Sequence, residues 1–376
     1  MNNGIQYFLI CILIASCTPQ KTVLFADNTQ LKFVNEYDVS YNKSFQNTTI
    51  GGLSGIDYDA KHDVYYLISD DRSAMNPARF YKAKIHIDQN KIDRVEFTGV
   101  KTLLQSDGTV YPNSKQDPYH TPDPEDIRYN AKTKQLVWTS EGERIVKKQG
   151  VVLEDPSVIA VTTGGKYIDS FALPSNMHMQ SIEKGPRQNG VFEGLSFANH
   201  YKHLFVSVEE PLYEDGPRAG LDDSSAWIRI VKYDVKTRKP IAQYGYQIDP
   251  VAYPANPPGA FKINGIPDIL VLNDHQLIVI ERSFSSGRKP CTIKIYLADL
   301  NGAEDVSSIS SLKNTSFHPV AKRLLLNMDS LGIYTDNIEG VTFGPRLSNG
   351  HQSLVFVGDN NFSPDEITQF LLFQIL

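Results

Sequence analysis

"GVFEGLSFANHYKHLFVSVEE", residues 190–210, reads as a β-hairpin: two short apolar runs flank a polar turn, with Glu193 ahead of the first run and Glu209 and Glu210 after the second. In an antiparallel hairpin the start of the first strand lies beside the end of the second. Glu193 and Glu209 are therefore expected to be neighbours at one rim of the sheet that contains them.

The stretch has four relatives in the chain. "LSGIDYDAKHDVYYLISDD" begins at Leu53, "PEDIRYNAKTKQLVWTSEGE" at Pro124, "PDILVLNDHQLIVIERS" at Pro267 and "IEGVTFGPRLSNGHQSLVFVGDNN" at Ile338. Aligning Gly55, Asp126, Gly194, Asp268 and Gly340 gives steps of 71, 68, 74 and 72 residues, a near-constant period that marks a repeat architecture. Runs such as "ARFYKAKIHID", "WIRIVKYDV" and "TIKIYLADL" lie between the hairpins and bring each repeat to about four antiparallel strands, the unit of a propeller blade. The expected fold is all-β: a β-propeller of five four-stranded blades by repeat count, with a degenerate sixth in the long connections as the alternative. A two-sheet sandwich does not explain four near-equal steps. "LKFVNEYDVS", from Leu31, and "ITQFLLFQI", ending at Ile375, each lack a sequence-adjacent partner, so they are predicted to pair and close the ring without an open edge. The single propeller domain is placed at residues 31–376.

The repeat brings acids together. At the start of each first strand the aligned pairs are Ser54-Gly55, Glu125-Asp126, Glu193-Gly194, Pro267-Asp268 and Glu339-Gly340; after each second strand the aligned residue is Asp70, Glu141, Glu209, Glu281 or Asp359. With the first strand of each blade innermost, these carboxylates ring the mouth of a central channel. The longest loops emerge on the same face, where function usually sits. Gly55, Gly194 and Gly340 are read as structural, supplying either a positive φ or close packing.

Packed like charges must be protonated, paired with a base or bound to a cation. Asp70, Glu125, Glu141, Glu193, Glu209, Glu339 and Asp359 are the candidate metal ligands, and an all-oxygen set suits a hard cation, Ca²⁺ above all. Arg72, Arg144 and Arg282 lie in the same loops and are the candidate phosphate-binding residues, because a guanidinium fork matches phosphoryl oxygens. Glu193, Glu125 and Glu209 are the candidate catalytic carboxylates, placed to orient or deprotonate a water.

"NGVFEGLSF", "PDPEDIRY" and "DNIEGVTFGP", with the acid after each second strand, resemble the phytase-like family described by esterase-like activity of phytase, over about residues 31–376. The resemblance implies a metal-dependent hydrolase of small phosphorylated substrates, phytase-like or phosphodiesterase-like, with Ca²⁺ as cofactor. It carries Glu125, Glu193 and Glu339 onto the family's first-strand acids, and Asp70, Glu141, Glu209 and Asp359 onto its second-strand ones. Ser54 and Pro267 depart from the pattern. Two other readings stay open: a Ca²⁺-dependent propeller lactonase or carboxylic-ester hydrolase, and a non-catalytic binding propeller.

The remaining signals set the surroundings. Lys and Arg number 37 against 43 Asp and Glu, for a net charge of −6 without a long basic run, which argues against nucleic acid as a partner. "MNNGIQYFLICILIASCTPQ" resembles a bacterial lipoprotein leader: residues 1–16 are the expected signal peptide, Cys17 the lipid-bearing residue and 17–30 a tether, with an ordinary cleaved signal or a buried strand as the alternative. The expected location is the bacterial cell envelope, with membrane contact only through the lipid and a monomeric propeller. Of three cysteines, Cys11 leaves with that leader and Cys291 remains the only other thiol, so no intramolecular disulfide is expected. No P-loop, dinucleotide fingerprint, zinc spacing, EF-hand loop or nucleophile elbow appears.

Overall fold

The computed structural model describes residues 29–222 and 225–376; the leader and Cys17 lie outside them. Five antiparallel sheets follow one another along the chain. Blade I comprises Ile56–Asp59, Val64–Ser69, Arg79–Asp88 and Lys91–Thr102; blade II, Pro124–Asn130, Gln135–Ser140, Ser157–Thr162 and Tyr167–Ser170; blade III, Phe192–Ala198, His203–Val208, Trp227–Asp234 and Lys239–Gln247. Blade IV is built on Gln276–Ser285, Thr292–Asp299 and Ala321–Asn327, and blade V on Asn337–Arg346, Gln352–Asp359 and Thr368–Ile375. The fourth strand of blade V is Leu31–Val39, paired antiparallel with Thr368–Ile375 from Leu31 opposite Ile375 to Val39 opposite Thr368. The ring is closed as the unpaired terminal runs required. Among the described residues there is no sixth blade, and the only helical segments are two 3-10 turns, Ser175–Met177 and Met328–Leu331.

Each blade buries one apolar face against the next, so the core is five separate interfaces. Tyr66, Ile68 and Phe80 of blade I meet Ile127, Leu136 and Trp138 of blade II, and Val137 and Val158 meet Leu195 and Val206 between II and III. Between III and IV, Phe205 and Ile228 meet Leu277 and Val279; Ile280 and Ile293 meet Phe356 and Leu371 between IV and V. Leu67 and Tyr81 meet Val355 and Phe370 where blade V returns to blade I. Alternation along each strand thus becomes side-to-side packing of sheets, which fixes the blades around an axis.

The first strands are the innermost, each touching the first strands of both neighbouring blades. Gly194 shows how closely they converge: a Cβ there would lie 2.5 Å from Cα of Asp268 in the next blade. At Gly55, which likewise has no positive φ, it would lie 2.4 Å from Asp126 Oδ1. Of the two roles expected for these glycines, the structure selects close packing.

Blade IV departs from the others. Its innermost strand is split into Lys262–Gly265 and Ile269–Val271, both pairing with Gln276–Ser285. Pro267, with no N–H to donate, sits in the gap.

Candidate active site at the channel mouth

The start pairs of blades II, III and V sit in β-bulges. In blade III Phe192 opposes Val208 and Leu195 opposes Val206, so Glu193 and Gly194 share the single partner Ser207. In blade II Glu125 and Asp126 likewise share Thr139, and in blade V Glu339 is the extra residue between Ile338 and Gly340. A bulge inserts one residue and re-aims side chains without ending the strand. Here it turns the first acid of each pair toward the mouth.

At the other end of the hairpin, the amide of the final residue is held by the loop before the first strand: Asp70 N donates to Gly52 O, Glu141 N to Asp123 O and Glu209 N to Val191 O. The equivalent pairs are Asp359 with Asn337 in blade V and Arg282 with Gly265 in blade IV. Arg282, not Glu281, therefore occupies the fifth position. The blade IV hairpin runs 14 residues from Asp268 to Arg282 where the first three blades use 15, so alignment by charge alone lands one residue early. Glu281 faces the opposite side, where it accepts hydrogen bonds from Tyr246 (2.8 Å), Asn264 (3.0 Å) and Lys322 (2.7 Å). Asp268 is also turned from the mouth, into the channel below.

Two carboxylate trios result. One oxygen each from Asp70, Asp123 and Glu125 lie within 4.8 Å of one another, and so do oxygens from Glu125, Glu141 and Glu193. Glu125 belongs to both. Asp123 was not among the residues singled out from the repeat; the signal available was a third acid in "PDPED", one position before the strand. Burial pushes Asp70, Glu125, Glu141 and Glu193 well above the usual carboxylate range, and their negative neighbours push the same way: Asp123 on Asp70, Glu193 on Glu125, Glu209 on Glu141, Glu141 on Glu193. Asp123 rises to about 6, with burial raising it and Arg72 opposing. Burial and Glu339 raise Asp359.

Arg282 completes the ring. Its guanidinium donates to Glu209 and Glu339, both at 2.8 Å, and to Asn337, while Nε has no protein partner. Arg72 pairs with Glu143, which opens the hairpin Glu143–Lys147/Gly150–Glu154; its Nε lies 3.7 Å from Asp123 without a hydrogen bond. Arg144 does not join them. It donates to Gln180 O and Ile182 O and lies 4.9 Å from the Tyr213 ring, so it fastens a loop. The loop histidines are likewise spent locally, His120 on Asp117 and His178 on Asp155.

Below the ring, Arg128 fills the axis. Its guanidinium donates to Leu195 O (2.6 Å), Val341 O (3.1 Å), Ile56 O and both oxygens of Asp268 (2.7 Å), and it lies 3.1 Å from Asp126. It thereby touches the innermost strand of every blade and shuts the channel, leaving the ring as the floor of an open mouth.

The sequence profile of the family described as "Phytase-like: Esterase-like activity of phytase" matches residues 48–362, which includes all five start positions and Asp70, Glu141, Glu209, Arg282 and Asp359. The chain belongs to this family. Membership makes this phytase-like propeller a hydrolase, and its acidic groups are ones that can hold a metal ion. No curated protein matches the sequence. Among solved structures, similarity extends to an endo-arabinase from Bacteroides thetaiotaomicron VPI-5482, at 11% identity over 90% of this chain and 98% of that one with a TM-score of 0.45. An alpha-L-arabinofuranosidase from Lactobacillus brevis gives 10%, 87%, 91% and 0.44, and a gluconolactonase from Xanthomonas campestris 12%, 86%, 71% and 0.36. At such identities and scores these structures carry no argument about the site.

Proposed function

We propose that this phytase-like propeller is a Ca²⁺-dependent phosphoester hydrolase whose reaction takes place on the acidic ring. The observation that carries the reading is the pair of buried trios sharing Glu125. Carboxylates so close and so dry are either protonated or matched by positive charge, and once ionised their oxygens can ligate a cation. Further oxygens fit the same group: Glu209 Oε2 and Asp359 Oδ2 are buried without a hydrogen-bond partner. Asp70, Asp123, Glu125, Glu141 and Glu193 would hold one or more cations, with Glu209, Glu339 and Asp359 completing the collar. A hard cation there supplies charge neutralisation and polarisation of the phosphoryl group.

The chain's own residues do the rest. Arg282 and Arg72, whose guanidinium groups lie against the ring acids, would bind phosphoryl oxygens. Water adds to phosphorus as the ester P–O bond breaks; a carboxylate, Glu193 or Glu209, takes the proton from the attacking water, and the departing alkoxide takes a proton from bulk water at the open mouth. The shut channel confines the substrate to the open face. The test is hydrolysis of phosphate mono- and diesters with Ca²⁺ and after EDTA: activity that persists in EDTA and in a Glu125→Gln/Glu193→Gln double variant overturns the reading. A parallel panel of lactones and carboxylic esters separates it from the carboxylic-ester alternative.

We further propose that the protein is lipid-anchored through Cys17 in a bacterial envelope and acts there as a monomer. Palmitate labelling of intact protein and of Cys17→Ser checks the anchor, and light scattering checks the assembly state.

A further inference from the structure

A cavity of about 610 Å³ opens from the ring between blades IV and V. Its volume is within the roughly 300–1,000 Å³ of small-molecule sites. Glu209 and Arg282 line its inner end, so ring and cavity are continuous. The opening exists because blade IV breaks the pattern: Pro267 and Arg282 replace two acids, and the split first strand sends Lys262–Gly265 alongside the end of Gln276–Ser285.

The walls of this cavity differ chemically from the ring. Phe261, Ile263, Phe284, Cys291 and Tyr334 line it. The Phe261 and Phe284 rings lie 6.1 Å apart, and Phe261 is 55% exposed, a large apolar side chain left in water beside a concave wall. Burial pushes the Cys291 thiol up to about 11, so it stays a neutral, apolar-like surface. The rest of the lining is mixed in sign: Asp336, Asp365 and Glu366 lie there with Arg288 and Lys289. No excess of positive charge awaits a polyanion in the cavity, and in the ring the acids outnumber Arg72 and Arg282.

We infer that the substrate is an aryl phosphoester: the phosphoryl group rests on the ring at Arg282 while an aromatic group lies in the cavity against Phe261, Phe284 and Tyr334. This rests on the phosphoester reading of the ring and adds the identity of the organic group. A polyphosphorylated polyol fits poorly, since it offers no apolar surface to the aromatic wall and brings several negative charges to an acidic mouth. Aromatic faces favour an aryl group through ring stacking and area burial together.

The test uses Ca²⁺-loaded protein and two non-hydrolysable probes that share a phosphonate head, 1-naphthylphosphonate and methylphosphonate, with binding followed by titration calorimetry. The naphthyl probe should bind at least about tenfold more tightly, and Phe261→Ala or Tyr334→Ala should collapse that ratio toward one. Equal affinity of the two probes, tighter binding of inositol hexakisphosphate, or unchanged ratios in the variants overturns the inference. Hydrolysis of 1-naphthyl phosphate is measured alongside. If the naphthyl preference holds but no phosphoester is cleaved, the aryl site stands and the hydrolytic reading of the ring fails; if phosphoesters are cleaved without the preference, the reverse is true.

Discussion

Glu125 and Asp126 are consecutive, both buried and both on the innermost strand of blade II, yet they belong to two regions with opposite logic. Asp126 faces down the axis. Its oxygens accept from the amides of Ile127 (2.7 Å) and Leu195 (2.8 Å), and Arg128 supplies a charge 3.1 Å away. Asp268, its counterpart across the channel, accepts from Ile269, Val341 and Arg128, all at 2.7 Å. Glu125 faces up and meets chiefly other carboxylates. The lower layer is a saturated network of backbone amides and one guanidinium. The upper layer is short of positive charge. Buried acids whose partners are all present hold a fold together; buried acids whose partners are missing are poised for a ligand.

Removing Arg128 should break the lower layer outright. Arg128→Met leaves Asp126 and Asp268 buried without their counter-charge, and breaking a buried pair this way costs about 3–5 kcal/mol. Chemical denaturation should show that loss or no folded protein at all. A variant as stable as the parent would show that the axis plug is dispensable.

In the upper layer the same kind of change should act in the opposite direction on stability. Glu125→Gln should lower kcat/KM by about 100-fold, because it removes the oxygen ligand shared by both trios. In EDTA its Tm should equal or exceed the parent's, because a repelling charge is gone. A fall in Tm together with retained activity would make Glu125 a structural acid like Asp126.

The pH dependence follows from burial, which raises Asp126 and Asp268 of the lower layer as well as the acids of the ring. Burial raises the ring carboxyls in the folded state, so their contribution to stability is complete below the ordinary carboxylate range and is lost as pH rises through the folded values. Asp123, at about 6, opens the window, the other acids of the two trios lie above it, and two acids outside the ring, Glu210 at about 7 and Glu154 at about 8, titrate within it. In EDTA, Tm should therefore fall from pH 5 to pH 8. Adding Ca²⁺ at 100 times its dissociation constant should restore about 2.7 kcal/mol at the alkaline end. An EDTA profile that rises with pH would exclude an underpaired ring.

The smallest effect belongs to the partly exposed network behind blade IV, where Asp249 accepts from Lys294 (2.7 Å) and Lys322 (2.6 Å). Lys294→Met, which leaves Lys322 on Asp249, should cost no more than about 1 kcal/mol, in line with solvent-accessible pairs. A loss as large as that of Arg128→Met would place this network with the plug.

The residues show how far the sequence reaches. The fivefold repeat, the closing strand from Leu31 and the collar of Asp70, Glu125, Glu141, Glu193, Glu209, Glu339 and Asp359 were legible because one hairpin pattern recurs and antiparallel pairing dictates which ends meet. Asp123 was not, since it lies in a loop outside the aligned frame. Nor was the exchange of Glu281 for Arg282, which depends on a hairpin one residue shorter. Arg144 looked equivalent to Arg282 in composition and loop position; only contacts with Gln180, Ile182 and Tyr213 separate them.

By itself, then, the sequence determined a repeating all-β architecture and which acids share a rim, because periodicity and strand pairing are local properties that add up along the chain. Only the tertiary structure decided which carboxylates are satisfied and which are not. Satisfaction depends on what other blades bring within 3 Å of an oxygen: Arg128 reaching across the axis, a bulge turning Glu125 away from Asp126, and Pro267 breaking a strand so that an apolar cavity opens beside Arg282.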